Sequence, residues 1–355
     1  MSMGRKLGKL IGLCCAVGLL ALLAGCSSTP TQPGEPSVKY YYSFFDTESQ
    51  ILSQAGDGGA TFEKRAAAAA ELLEEYHKRL DIYHEYSGMN NVCTINKNAG
   101  GEAVKVDQEL MDFLVYAKAL CEKTGGRMNI MLGAVLLPWH ECREEALEGS
   151  GFAAIPDMAV LEEGKKHTSL DALVLDEEAL TVRITDPNAR LDVGAVGKGY
   201  ATEMAARLLE DMGAESYMLN IGGNIRLVGG KPGGVDWVLG IKDPFEIEDI
   251  YAVLELQDIS CVTSGIYERY FTVDGVRYHH IIDPETLMPA SYFASVTVVA
   301  RDSGLSDGLA TALSCMSQEE GLALINSLEE DVDALWIGLD GRCAYTNGLD
   351  PTFRN

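Results

Sequence analysis

The sequence predicts an α+β protein that forms a single integrated domain, with mixed or antiparallel sheets and flanking helices. Hairpin-like pairs of strands dominate the second half of the chain, and helical patterns stand before and after them. The regular strand–helix–strand alternation of a doubly wound parallel sheet is missing, and no internal repeat is detectable. The length of 355 residues permits one large domain or two ordinary ones.

Helical patterns dominate the first third of the folded part. Residues 62 to 84 carry an alanine run, apolar residues at helical spacing and interleaved charges, which predicts a helix. A strand is predicted before it, around residues 39 to 45. A second helix is predicted over Gln108–Lys123, because the pattern stops at the glycine pair 125 and 126.

Strand signals follow as pairs. Residues 172 to 184 and 216 to 229 each have the pattern of two strands around a turn. Residues 268 to 282 alternate around Asp274-Gly275, which is the strongest hairpin signal in the chain. Beyond these pairs the pattern predicts one more helix and one more strand, over residues 305 to 317 and 333 to 340.

The N-terminus has the layout of an export signal. Three positive residues precede an apolar run over residues 10 to 23, which is too short to span a bilayer comfortably. The run ends in Leu-Ala-Gly-Cys at residues 23 to 26, which resembles the bacterial lipoprotein signal. The alternative is an ordinary signal peptide with a chance cysteine. We expect Cys26 to become the lipid-bearing first residue of the mature protein.

This signal predicts three parts of the chain. Residues 1 to 25 are the signal peptide, and residues 26 to 38, rich in Ser, Thr and Pro, are the lipidated cysteine and a flexible stalk. Residues 39 to 355 are the folded domain. The lipid would anchor the protein to the outer face of the bacterial cytoplasmic membrane, in the cell envelope.

Charge and cysteine usage exclude several classes of function. The formal net charge of -25 argues against nucleic-acid binding through bulk attraction, since phosphate backbones favour a surplus of Lys and Arg. Loss of residues 1 to 25 removes three positive charges and no acids, giving -28. An acidic ligand therefore needs a local positive site or a metal. The cysteines after Cys26 lie far apart without a CxxC pair, so we assign them no chemistry.

The stretch LDVGAVGKGYATE, residues 191 to 203, joins an apolar segment to a predicted helix. Its glycines, Gly194, Gly197 and Gly199, have neither the spacing of the dinucleotide fingerprint GxGxxG nor that of a P-loop. Glycines allow backbone N–H groups to approach an anion, the helix would present its positive end there, and Lys198 adds a full charge. A tight strand-to-helix turn explains the same residues equally well.

Two further stretches contain polar turns. Gly222 and Gly223 stand in a turn between apolar strands, for which a plain hairpin is the favoured interpretation on its own. Thr263, Ser264 and Gly265 form a polar turn ahead of the predicted hairpin at residues 268 to 282.

His279 and His280 follow on one strand end, with Asp283 close behind. A His-His pair suggests a metal site, but adjacent strand residues point to opposite faces of a sheet. At most one of the two therefore faces a given ligand, and we expect the other to be structural.

In LSDGLATALS, Asp307 and Thr311 are four residues apart and share one face of a predicted helix. A carboxylate and a hydroxyl at that spacing suit a hard cation such as Mg²⁺, which keeps positions open for water or substrate phosphates. Helix capping by Asp307 is the alternative, and it would suffice on its own.

Taken together, these stretches resemble one family. Their order and spacing are similar to those of the FAD:protein FMN transferases, the ApbE family of flavin transferases, and the histidine-containing stretch from residue 262 to 290 is the most specific part. The similarity extends upstream through IYHEYSGMNNVCTINKNAG and TGGRMNIMLGAVLLPWHE. The resemblance implies an ApbE-like fold and a reaction in which FAD and Mg²⁺ bind, a Ser or Thr hydroxyl of an acceptor flavoprotein attacks the FMN-side phosphorus, and AMP leaves.

The resemblance also implies roles for particular residues. Asp192 and Lys198 would contact the flavin nucleotide, while the backbone carbonyl of Ala195 and the side chains of Asp307 and Thr311 would hold the metal. Other matched positions would line the FAD site: Tyr86, Asn96, Met128, Asn129, Ile130, Gly222, Gly223, Ser264, Gly265 and Ile282.

His280 matches the family's catalytic or substrate-orienting histidine, and its neutral imidazole could accept the proton of the attacking hydroxyl. Asp283 is a further candidate base, and Asp307 completes the catalytic set. Phosphoryl transfer depends mainly on positioning and charge stabilisation, so no covalent enzyme nucleophile is required.

The chain departs from the family at a few positions. Leu287 stands where many members have Gly, and Met128 and Asn129 stand where many have an aromatic residue and Asp. Ala310 replaces an acid that some relatives carry before the metal-binding threonine. These differences leave open how many metals bind, and two alternatives to transfer: a Mg²⁺-dependent FAD pyrophosphatase and a non-enzymatic flavin-binding lipoprotein.

Overall fold

A computed structural model describes residues 36–147 and 153–354, and its order of elements mixes helices with antiparallel strands. The helices are α1 (Gly58–Leu80), α2 (Val92–Lys97), α3 (Gln108–Lys123), α4 (Gly133–Leu147), α5 (Met158–Lys165), α6 (Gly197–Asp211), α7 (Ser303–Ser314) and α8 (Gln318–Ser327). The first strands are β1 (Ser37–Tyr41), β2 (Ser49–Ser53), β3 (Val104–Lys105), β4 (Leu173–Asp176), β5 (Thr181–Ile184), β6 (Tyr217–Ile221), β7 (Asn224–Val228) and β8 (Trp237–Lys242). The others are β9 (Ile250–Leu256), β10 (Ser260–Gly265), β11 (Tyr270–Val273), β12 (Val276–His279), β13 (Phe293–Ala300), β14 (Val332–Gly338), β15 (Cys343–Tyr345) and β16 (Thr352–Phe353).

An eight-stranded sheet is the centre of the fold. Its strand order is β1-β2-β6-β7-β10-β13-β14-β15, and every neighbouring pair is antiparallel. Three small antiparallel sheets accompany it, β11-β12, β16-β9-β8 and β3-β5-β4. The predicted α+β class with antiparallel sheets and flanking helices is therefore confirmed.

The pattern of apolar residues explains how helix α1 packs. The buried side chains recur at spacings of three and four residues, which places them on one face of the helix: Phe62, Ala66, Ala69, Leu73, Tyr76 and Leu80. These residues belong to the main core, which they share with buried residues of the large sheet such as Ile51, Tyr217 and Leu219.

Helices α6 and α7 lie against one another beside the large sheet, and one glycine permits their close approach. A Cβ atom on Gly199 would lie 2.3 Å from the carbonyl oxygen of Ser303 and 2.4 Å from Cβ of Asp307. Helix α7 begins at a cap, because the Asp302 side chain accepts a hydrogen bond from the backbone N–H of Leu305. This packing fixes where the start of α6 meets the middle of α7.

A buried ion-pair network ties the same two helices to strand β7. The fully buried Arg226 donates from Nε to Glu203 over 3.0 Å. The same carboxylate oxygen of Glu203 accepts from the backbone N–H of Ser303, at the first residue of α7. One carboxylate of α6 thus fixes both β7 and α7, and removing either partner would leave a buried charge uncompensated.

The predicted helices and hairpins are present, but the first helix ends at Leu80 rather than at residue 84. The prediction of a polar turn at residues 263 to 265 is wrong, because these residues pair with β13 as part of strand β10. Helix α3 has the predicted bounds, and the pairs β4–β5, β6–β7 and β11–β12 form the three predicted hairpins. The first strand begins at Ser37, two residues before the predicted start of the folded domain. The signal peptide, Cys26 and the stalk up to residue 35 lie outside the described residues and stay predictions.

The described residues contain free cysteines and no helix that could cross a membrane. All six cysteines from Cys93 to Cys343 are free, and four of them are buried: Cys93, Cys121, Cys261 and Cys315. Between residues 36 and 354, apart from the gap at 148–152, no helix combines the length and the apolarity needed to cross a bilayer.

Candidate active site

A cavity of about 940 Å³ gathers most of the residues that the sequence analysis selected. Its walls come from the loop before α6, the β6–β7 turn, strands β8 and β10, and one face of α7. The predicted residues that line it are Tyr86, Met128, Asn129, Asp192, Ala195, Lys198, Gly222, Gly223, Ser264, Gly265, His280, Ile282, Asp307 and Thr311. Residues far apart in sequence thus share one site.

The glycine-rich loop before α6 is held by backbone contacts. The N–H of Asp192 donates to the carbonyl of Ile130 over 2.8 Å, and Oδ1 of Asp192 accepts from the N–H of Gly194 over 3.0 Å. At the start of α6, the N–H of Gly199 donates to Oδ2 of Asp307 over 2.8 Å. This amide therefore binds a carboxylate of the protein and not a ligand. The group of this stretch that can contact a ligand is the ammonium group of Lys198.

Asp307 is a buried carboxylate with no ion-pair partner among the described residues. It is 5% exposed, and none of the ion pairs formed by the described residues includes it. Burial raises the pKa of Asp307, while Lys198 and the hydrogen bond from Gly199 oppose that shift. A bound cation would supply the missing compensation, because a buried charge is costly unless it is paired.

The donors around Asp307 fit a hard cation. Thr311 lies one turn further along α7, and both side chains and Ala195 line the cavity. The described residues hold no cluster of three or more His, Cys, Asp or Glu side chains suited to a metal. A single carboxylate with hydroxyl and carbonyl oxygens suits Mg²⁺, which uses one or two carboxylates together with substrate phosphates and water.

The two adjacent histidines have separate positions, as the strand geometry requires. His279 is buried, and its Nε2 lies 2.9 Å from the carbonyl oxygen of Ala290, so it is structural. His280 lines the cavity, and its buried Nδ1 has no hydrogen-bond partner. Burial, with help from Arg269 and Lys198, lowers the pKa of His280 to about 3. The imidazole is therefore neutral at neutral pH.

Unpaired cations mark the same cavity. The side chains of Arg143, Lys198, Lys242 and Arg269 line it, and no ion pair or side-chain hydrogen bond among the described residues includes them. The chain carries 53 acidic and 28 basic residues, so most cations could find an acidic partner. These cations could contact an anionic ligand, although acidic residues line the same cavity as well: Asp46, Glu48, Asp81, Asp192, Glu268 and Asp307.

Three predicted site residues lie behind the cavity wall. Asn96 accepts from the backbone N–H of Leu191 over 2.7 Å and donates to its carbonyl over 2.9 Å. Ile130 is fully buried. Asp283 is 2% exposed and accepts from the backbone N–H of Glu285. None of the three lines the cavity, so the structure gives them supporting positions, with Asn96 and Ile130 holding both sides of Asp192.

The structure adds cavity residues that the sequence analysis did not select, among them Tyr83, His140, Arg143, Asn224 and Arg269. Tyr83 and His140 stand in the upstream stretches that carry the resemblance, but no spacing connects them. Their proximity becomes visible only once α4 packs beside the loop before α6.

The chain is similar in sequence to known proteins. A family model described as the ApbE family matches residues 44–336. An FAD:protein FMN transferase of Treponema pallidum is 36% identical over 308 residues, which cover 81% of this chain and 83% of that protein. Another, of Klebsiella pneumoniae, is 30% identical over 277 residues, covering 78% and 82%.

Solved structures show the same fold. The ApbE protein of Thermotoga maritima superposes with a TM-score of 0.77 at 27% identity and covers 88% of this chain and 98% of its own. The flavin transferase ApbE of Vibrio cholerae has a TM-score of 0.74 at 26% identity, covering 89% and 98%. Since the family model spans most of the chain and the relatives match along it, the chain belongs to the ApbE family.

Proposed function

We propose that this chain is an FAD:protein FMN transferase that moves FMN from FAD to a Ser or Thr hydroxyl of an exported or membrane-bound flavoprotein, with Mg²⁺, and releases AMP. The curated relatives above carry the name of this activity. The observation that carries the proposal is the cavity in which the buried Asp307, which has no ion-pair partner among the described residues, stands near Lys198 and other cations. A cation on Asp307 together with a diphosphate would satisfy both sets of charges.

Different residues of the chain would bind the metal and position the diphosphate. Asp307, Thr311 and the Ala195 carbonyl would hold Mg²⁺, which when bound stabilises negative charge on the phosphate oxygens. Lys198 reaches the same region, since it acts on both Asp307 and His280 electrostatically. These groups position the diphosphate for attack, and such positioning and charge stabilisation supply most of the catalysis in phosphoryl transfer.

His280 is suited to accept the proton of the attacking hydroxyl. As the acceptor hydroxyl oxygen bonds to the FMN-side phosphorus, the bond from that phosphorus to the bridging oxygen breaks and AMP leaves with the electron pair. The hydroxyl proton passes to the neutral imidazole of His280, whose Nδ1 has no partner. Burial is the main cause of the lowered pKa of His280, and Arg269 and Lys198 add to it. A bound diphosphate would offset the contribution of these two cations and so strengthen the base.

The test combines the signal-free chain, FAD, Mg²⁺ and a flavoprotein domain, followed by mass measurement of the acceptor. We expect a gain of one FMN, abolished by EDTA and reduced at least about 100-fold in Asp307→Asn, since such charge-stabilising groups contribute two or more orders of magnitude. Asp302→Asn is the matched control, because Asn also caps helices well and Asp302 caps the start of the same helix, α7.

Other outcomes select other functions. Free FMN and AMP without acceptor modification would identify an FAD pyrophosphatase. FAD that stays bound and intact with Mg²⁺ would identify a flavin-binding protein. An acceptor modified at full rate by Asp307→Asn would exclude the proposed metal site.

We further propose that the chain works at a membrane. The support is the sequence alone: an export-like run at residues 10 to 23 followed by Leu-Ala-Gly-Cys at residues 23 to 26. A lipid on Cys26 would hold the domain on the outer face of the cytoplasmic membrane, beside exported flavoproteins.

A further inference from the structure

One histidine on the cavity wall has no part in the mechanism above. His140 lies in α4 and lines the cavity beside Tyr83 and Asp192. Its Nδ1 is 2.9 Å from the Tyr83 hydroxyl, and its Nε2 is 3.8 Å from Oδ2 of Asp192. The second distance is too long for a hydrogen bond. Two polar atoms therefore flank a gap that opens on the cavity.

The Tyr83 contact determines where the imidazole carries its proton. Burial lowers the pKa of His140 and raises the pKa of Tyr83. A neutral imidazole has one N–H, and the tyrosine hydroxyl can donate to Nδ1, which leaves the proton on Nε2. We assign this tautomer from the hydrogen bond, and it makes Nε2 a donor that faces Asp192.

Asp192 supplies an acceptor next to that donor. Its Oδ1 accepts from the N–H of Gly194, which fixes the carboxylate and leaves Oδ2 towards His140. The side chains of His140 and Asp192 are 20% and 9% exposed, so water reaches them poorly. Neither Nε2 of His140 nor Oδ2 of Asp192 has a hydrogen-bond partner among the described residues, so both can bind a ligand in the cavity.

The surroundings suit a flat ring. Leu136 lies one helical turn before His140 on α4 and lines the same cavity, as do Leu132 and Met128. Apolar walls with a few placed polar groups are typical of sites for small ligands with aromatic rings. A ring lying between these side chains could present its polar edge to the donor and acceptor.

We propose that Nε2 of His140 and Oδ2 of Asp192 form a donor–acceptor pair that binds the hydrogen-bonding edge of a heteroaromatic ring of the substrate. The inference rests on the proposed function, because FAD carries two rings with such an edge. The flavin has an imide, and adenine has an amino group beside a ring nitrogen. In either ring an N–H donates to Asp192, and a carbonyl oxygen or ring nitrogen accepts from His140.

Binding measurements test the pair without relying on transfer. FAD affinity is measured by flavin fluorescence with Mg²⁺ present and the acceptor protein omitted. His140→Phe keeps a ring and removes the donor, and we expect an approximately tenfold weaker affinity, or about 1.4 kcal/mol. His167→Phe is the control, because His167 does not line this cavity and bonds Asp186.

Two FAD analogues identify the ring. One is methylated at flavin N3 and lacks the imide N–H, and the other is dimethylated at the adenine amino group and lacks both amino N–H donors. We expect the analogue altered at the bound ring to bind wild type about tenfold more weakly than FAD. In Asp192→Ala, the difference in affinity between FAD and that analogue should shrink to within about threefold, because the acceptor is gone.

The outcomes separate the two proposals. If wild type does not bind FAD, the proposed function fails. If FAD binds but His140→Phe and His167→Phe behave alike, the ring-edge pair is wrong while the function stands. The pair is also wrong if both analogues bind as FAD does, or if the difference in affinity survives Asp192→Ala.

Discussion

At the scale of single residues, Leu287 has an unfavourable backbone conformation. Its φ is 63°, which lies in the left-handed region that favours Gly. The resemblance described above implies that many members of the ApbE family have Gly at this position. Leu287 is nevertheless 3% exposed and packs in a buried cluster with Trp139 and Phe271. Its carbonyl also accepts from Nε1 of Trp139 over 3.1 Å. The packing of the leucine side chain compensates for the strain.

We therefore expect Leu287→Gly to destabilise the protein even though it relieves the backbone. The relief is about 1–2 kcal/mol, whereas removing a buried leucine side chain costs about 2–5 kcal/mol. Urea unfolding should show a net loss of about 1–3 kcal/mol. Asp274→Gly is the control, because Asp274 is exposed with a φ of 50° and loses no packing. A Leu287→Gly protein as stable as wild type would mean that packing does not compensate for the strain.

The buried His280 makes stability depend on pH. Its folded-state pKa is lowered to about 3 from an ordinary 6.5, so the unfolded chain binds the proton first as the pH falls. Stability is then fully present above pH 6.5 and declines below it, by up to about 1.4 kcal/mol per pH unit towards pH 3.

This decline should be partly removed by His280→Gln. Urea unfolding at each pH gives the free energy of unfolding of both proteins. Between pH 7 and pH 4, we expect wild type to lose more of this free energy than the variant. Other buried histidines, His279 and His140, also have lowered pKa values and contribute to both proteins equally. His84→Gln, at a side chain that is 76% exposed, is the control. A pH-independent difference between wild type and His280→Gln would contradict the assigned burial effect.

At the scale of secondary-structure elements, the contact between α6 and α7 couples the glycine-rich loop to the proposed metal site. The amide at the start of α6 binds the carboxylate in the middle of α7. Glu203 and Arg226 fix the same helices to β7. The spacing of Gly199 in the sequence indicated an anion cradle or a turn, whereas its packing role depends on a helix that begins about a hundred residues later.

Gly199→Ala tests this contact. The added Cβ would meet the Ser303 carbonyl and Cβ of Asp307 at 2.3 and 2.4 Å, so the helices must separate. Such overpacking costs about 1–3 kcal/mol, and the displacement of Asp307 should reduce FMN transfer about tenfold or more. Thermal unfolding and transfer assays measure the two effects.

The matched control is Gly59→Ala in α1, where no atom lies within 4 Å of the new Cβ. Alanine is the better helix former, so this change should be neutral or stabilise by up to about 1 kcal/mol. Full activity and stability in Gly199→Ala would show that the α6–α7 contact tolerates separation.

The elements that sequence patterns predicted are those with local signals. Hairpins β6–β7 and β11–β12 contain their turn residues, Gly222-Gly223 and Asp274-Gly275, all at positive φ. Helix α4 contains Pro138, a residue that usually argues against a helix interior. Strand β13 is buried along nearly its whole length, and such a continuous apolar run has no periodicity that separates strand from helix.

At the scale of the whole molecule, the charge distribution is uneven. The chain is strongly acidic, yet its cavity carries Arg143, Lys198, Lys242 and Arg269 without ion-pair partners among the residues that the structure describes. The net charge implied that an anionic ligand needs a local positive site or a metal. It could not locate that site, because the four cations come from four separate segments that only tertiary packing brings together.

The domain and its N-terminal segment should be separable. The described residues, from 36 onwards, belong to one compact unit, and all the cavity residues lie within it. A chain that begins at residue 36 should therefore keep its unfolding temperature within about 2 °C, since no described packing is removed. It should also keep full FMN transfer to a soluble acceptor.

What the shortened chain should lose is its membrane association. In detergent phase separation, we expect the full-length protein from bacterial membranes in the detergent phase. Both the shortened chain and Cys26→Ser should enter the aqueous phase, because each lacks the proposed lipid and no helix among the described residues could cross a bilayer. Mass measurement of the N-terminal peptide should show a lipid-modified Cys26. Full-length protein with an unmodified Cys26 in the aqueous phase would contradict the anchor, while transfer by the shortened chain would still stand as a separate result.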